Sequence, residues 1–101
     1  MKKYRNHDEY LTKALKDPKE AALYMNAAVE ENDPALIIAV LAQVVKAHGI
    51  SKMAKKTSLS RTGVYKTLSK TGNPEFKTFM GILDASGLQM SFKPANTHHV
   101  H

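Results

Sequence analysis

The chain has 101 residues, with 15 Lys and Arg against nine Asp and Glu, a formal charge of +6, and no cysteine. That length suits one compact core and leaves no room for a separate catalytic domain. The absence of Cys excludes disulfides and thiolate zinc sites. No apolar run approaches the roughly 20 residues of a membrane span, and the polar start MKKYRNHDEY has no secretory pattern, so a cytoplasmic location is expected. The charge is unevenly placed. Residues 1–45 hold six basic and seven acidic side chains, a net of −1, whereas residues 46–101 hold nine and two, a net of +7. Clustered Lys and Arg are the main sequence-independent source of affinity for DNA, although a basic face alone is more often only a solvated one.

Met1–Asn6 reads as a short basic lead, and Asp8–Leu15 as a turn or two of helix with Tyr10, Leu11, Ala14 and Leu15 near one stripe. In Asp17-Pro18-Lys19-Glu20, Asp17 can cap a helix, Pro18 can take its first position and Glu20 can complete a capping box. The inward stripe is expected to be Leu23, Tyr24, Ala27 and Ala28, with the helix ending within Glu30–Asp33. Asp33-Pro34 repeats the start signal. The helix it opens should run to about His48 with Ile37, Val40, Leu41, Val44 and His48 on one side and Leu36 widening it, until Gly49 ends it in a left-handed conformation.

The stretch Gly49–Pro74 then reads as two short helices around a tight turn. Ser51 can cap the first, with Met53 and Ala54 inward and Lys52, Lys55 and Lys56 in water; Thr57-Ser58-Leu59 forms the turn. Ser60 caps the second, whose Val64 and Leu68 fall four residues apart on one face while Arg61, Thr62, Tyr65, Lys66 and Ser69 lie on the other. Such a pair has the form of a helix-turn-helix, spanning about 51–70, and the outer set suits the major groove. Arg can bond guanine bidentately, Thr and Ser can reach base edges or phosphates, and Tyr can pack on a thymine methyl. Ser69 and Lys70, at the far end, are expected on phosphates.

Gly72-Asn73-Pro74 leads into a last helix from Pro74, with Phe76, Phe79, Met80 and Leu83 as its core stripe and Gly87 as its end. Leu88–Lys93 alternates apolar and polar residues as a strand does, and would either pair with its copy in a second subunit or lie as extended chain along the core. Pro94 closes it, and 94–101 is expected to be a disordered tail. The domain plan is thus an N-terminal segment over 1–16, one helical domain over 17–93, and the tail. His98, His99 and His101 could bind a metal adventitiously, but a polar terminus explains them more simply, and neither a metal nor a cofactor is expected. No nucleophile with its base, buried carboxylate pair or glycine-rich phosphate loop stands out, so an enzyme is not expected.

With these pieces in place, the chain resembles the addiction-module antidote proteins, HigA-like antitoxins with a helix-turn-helix of the phage Cro and repressor type. The resemblance covers nearly the whole length and rests most on NDPALIIAVL, LSRTGVYKTLS and GNPEF with its helix and closing GLQMSF. It implies an all-α fold of five to six helices with a short C-terminal β-strand, binding double-stranded DNA at a palindromic operator as a homodimer. It also implies repression of its own operon and neutralisation of a RelE/HigB-like toxin. By position, Ser60, Arg61, Thr62, Tyr65 and Lys66 would face the groove, and Ser51, Lys52 and Lys55 would touch phosphates. One departure is Ser58, at a turn position where relatives usually carry Gly; a non-Gly residue held left-handed costs roughly 1 kcal/mol, so a strained or altered turn is expected.

Two other readings remain open on the sequence. The protein could chiefly be an interaction module, with residues 1–32 meeting a basic toxin through Asp8, Glu9, Glu30 and Glu31 and the basic half binding DNA non-specifically. It could also be a prophage-type regulator without a toxin.

Overall fold

Two Asp-Pro pairs start the two helices that frame the molecule. In the computed structural model, which describes residues 9–69 and 73–95, α1 covers 9–14, α2 Pro18–Glu30 and α3 Pro34–His48, followed by α4 Ile50–Thr57, α5 Arg61–Thr67 and α6 Phe76–Ala85. Asp17 Oδ1 accepts from the Lys19 N–H at 3.0 Å and Asp33 Oδ1 from the Ala35 N–H at 3.1 Å, each ahead of a proline that has no N–H to satisfy. The capping box expected at Glu20 is replaced. The Asp17 N–H donates to the Ala14 carbonyl at 3.0 Å, which joins α1 to α2 and leaves Glu20 no donor to meet.

The core gathers Leu15 from the end of the first segment, Ala21, Met25 and Ala28 from α2, and Val40, Leu41, Val44, Val45 and Ala47 from α3. Met53, Ala54, Val64, Ile82 and Leu83 complete it, with Leu11, Ile37, Leu59, Leu68 and Phe79 packed around them. α2 is rotated from the expected stripe. Ala28 is inward, but Leu23 is 65% exposed and Tyr24 and Ala27 also face out. The small Ala21 and Ala28 let α2 lie close on α3, its main packing partner, and Met25 fills the remaining space. α3 packs in turn on α4, which contacts both α5 and α6.

α6 also differs from expectation. It begins at Phe76, with Glu75 as its cap residue, and it buries Ile82 and Leu83 with Phe79 half-buried, while Phe76 is 63% and Met80 44% exposed. Gly87, at φ 80°, ends it as foreseen: the Leu88 N–H reaches the Leu83 carbonyl at 2.9 Å and the Gly87 N–H reaches Asp84 at 3.0 Å, the paired bonds of a Schellman end. The expected strand is not formed among the described residues, because every other regular element described is a helix and none offers a ladder. The alternation of Leu88–Phe92 serves docking instead. Leu88 and Met90 pack on the core, Gln89 and Ser91 face water, and Phe92 is 89% exposed. Among the described residues the fold is all-α, with six helices. No single helix among the described residues is long and apolar enough to cross a membrane.

Candidate nucleic-acid interface

Gly49 sets the direction of the helix pair. Its backbone lies at φ 99°, ψ 125°, a conformation open to glycine, and the chain turns by 103° between α3 and α4. Because α4 starts at Ile50 directly behind Gly49, Ser51 falls inside its first turn and makes no cap, contrary to the sequence expectation. Met53 and Ala54 are buried beneath α4, and Lys52, Lys55 and Lys56 stand in water. Thr57 closes the helix: its hydroxyl donates to the Met53 carbonyl at 2.8 Å. Ser58 then takes φ 63°, ψ 18°, so the turn keeps its left-handed shape without glycine.

Ser60 caps α5 by accepting from the Gly63 N–H at 2.9 Å, and Val64 is fully buried against the core. Gly63 was not singled out from the sequence, yet it is where the cap comes closest: a Cβ there would lie 3.2 Å from Ser60 Oγ. Arg61, Thr62, Tyr65 and Lys66 are all exposed, Tyr65 at 61%. The helix pair therefore presents Ser60, Arg61, Thr62, Tyr65 and Lys66 on or beside α5, and Ser51, Lys52 and Lys55 on α4. Ser69 is half-buried and its hydroxyl donates to the Lys66 carbonyl at 3.0 Å, which commits its proton within the chain. Lys70 lies outside the described residues, as do His98, His99 and His101.

Among the described residues the one ion pair, Lys93 with Glu30 at 3.9 Å, involves neither α4 nor α5, so Lys52, Lys55, Arg61 and Lys66 carry charge without an acidic partner. Lys56 differs from these. Its Nζ reaches toward the Ala85 carbonyl at the end of α6, at 3.5 Å. Behind α4, His48 buries an Nε2 with no hydrogen-bond partner among the described residues. Burial pushes its pKa below the ordinary 6.5, and the charges of Lys56, Lys52 and Lys16 add to the shift, so the ring is neutral at pH 7.

The model of a family described as "Probable addiction module antidote protein" matches residues 5–94. The chain belongs to this family. Relatives of this chain include an uncharacterised protein of Haemophilus influenzae (strain ATCC 51907 / DSM 11121 / KW20 / Rd), 39% identical over 75 residues, which cover 74% of this chain and 77% of that protein. No solved structure matches the chain. Membership implies a toxin-antitoxin module and a cognate toxin as partner.

Proposed function

We propose that this protein binds DNA through α4 and α5, represses its own operon as a two-fold dimer, and neutralises a RelE/HigB-like toxin. The observation that carries the DNA reading is the capped α5 with Arg61, Thr62, Tyr65 and Lys66 exposed beside an α4 whose Lys52 and Lys55 make no ion pair among the described residues. In this reading α5 lies in the major groove, Arg61 takes a guanine edge, Thr62, Tyr65 and Lys66 contact neighbouring bases, and Ser51, Lys52 and Lys55 hold phosphates. Ser60 serves foremost as the cap that aims α5.

The dimer reading draws support from Phe76, Met80 and Phe92, large apolar side chains left exposed on α6 and the segment after it. A two-fold dimer would set half-sites about 10 base pairs, or roughly 34 Å, apart. Footprinting of the region upstream of the gene tests this. A protected inverted repeat with that spacing is the expected result, and protection without symmetry would exclude the two-fold arrangement.

A further inference from the structure

The face that α2 turns to solvent combines an apolar centre with acidic ends. Glu20, Leu23, Tyr24, Ala27, Glu30 and Glu31 fall at helical spacing i, i+3, i+4, i+7, i+10 and i+11, so they form one stripe, opposite in use to the buried Ala21, Met25 and Ala28. Every member is solvent-exposed. A leucine exposed to this degree on the outer side of a well-packed helix has no role in the fold that burial would explain. No basic residue lies in the stripe; among the described residues the one ion pair on it, Lys93 with Glu30, sits at 3.9 Å between two exposed side chains, a contact worth little and easily exchanged.

We propose that this stripe is the docking surface for a basic partner protein, the cognate toxin that membership in the antidote family implies. The proposal rests on the toxin half of the proposed function and adds where the toxin sits. Charge complementarity selects the occupant: the acidic ends repel DNA phosphates and favour a cationic surface with an apolar centre to cover Leu23 and Tyr24. A second copy of the chain, placed two-fold on the same stripe, would bring Glu20, Glu30 and Glu31 against carboxylates of its own kind. The stripe belongs to the half of the chain with net charge −1, while the proposed DNA residues belong to the half with +7, so one molecule has separate surfaces for two partners of different charge.

The test uses the full chain and the product of the gene adjacent to its own, co-expressed and then measured by titration calorimetry. Leu23→Lys and the double variant Glu30→Lys with Glu31→Lys are compared with wild type and with Tyr65→Ala, and thermal melts confirm that each is folded. Each α2 variant is expected to weaken binding of that protein at least tenfold and Tyr65→Ala to leave it unchanged. Wild-type affinity in both folded α2 variants would overturn the surface and leave the toxin reading intact. No binding even by wild type would overturn the toxin reading and the surface with it. Loss of self-association without loss of the partner would reassign the stripe to contacts between copies and overturn the proposal.

Discussion

Ser58 holds a left-handed backbone, at φ 63°, that a serine adopts at a cost of roughly 1 kcal/mol. Replacing it by glycine removes that strain but loosens the unfolded chain, so Ser58→Gly should raise stability by between zero and about 1 kcal/mol. Ser58→Val, with a β-branched residue in the same conformation, should lose roughly 1 kcal/mol or more; urea midpoints distinguish the two. At Ser60, removal of the hydroxyl in Ser60→Ala takes away the bond to the Gly63 N–H and should cost about 1 kcal/mol of stability. The proposed DNA contacts separate by the kind of loss. Arg61→Ala should cost about 1–3 kcal/mol at one or two operator positions, whereas Lys52→Ala should weaken every sequence evenly and lower the salt slope by about one. Equal loss on all sequences for Arg61→Ala would remove its base-reading role.

At the level of the elements, the junction of α3 and α4 joins Gly49 to His48. A Cβ at Gly49 would meet nothing within 4 Å, so Gly49→Ala tests backbone strain alone, with an expected loss of about 1–3 kcal/mol in a denaturant titration. His48 ionises less readily folded than unfolded, so in the window between its lowered pKa and 6.5 the unfolded chain binds more protons. Its contribution to stability is therefore fully present above about pH 6.5 and is lost as the pH falls through that window. His48→Gln should flatten this part of the pH–stability curve. The helix starts and stops at Asp17-Pro18, Asp33-Pro34, Ser60 and Gly87 were legible because a cap is local and each acts within one turn, whereas the starts read at Ser51 and Pro74 were misplaced. The face that α2 buries was not legible. Ala21, Met25 and Ala28 compete at helical spacing with Leu23, Tyr24 and Ala27, and only close packing on α3 selects the smaller set. The same competition in α6 left Phe76 and Met80 outside.

Over the whole molecule, the exposure of the candidate site's side chains was more legible than the composition of the core. Exposure of Arg61, Thr62, Tyr65 and Lys66 follows from a single buried anchor, Val64, on a short helix. The strand over Leu88–Lys93 was misread because alternation records only which side chains are covered, and a helical core covers Leu88 and Met90 as well as a sheet would. The segregation of charge between the two halves agrees with two partners of different sign, a reading in which Leu23→Lys changes toxin affinity and Lys52→Ala changes DNA affinity independently. Specific recognition of DNA by α5 is the central claim, and a titration of the full chain tests it most directly. The protein is titrated against roughly 200 base pairs upstream of its own gene and against an unrelated fragment of equal length, both at physiological salt. At least about a thousandfold preference for the upstream fragment is the expected result, and equal, salt-sensitive binding to both would contradict it.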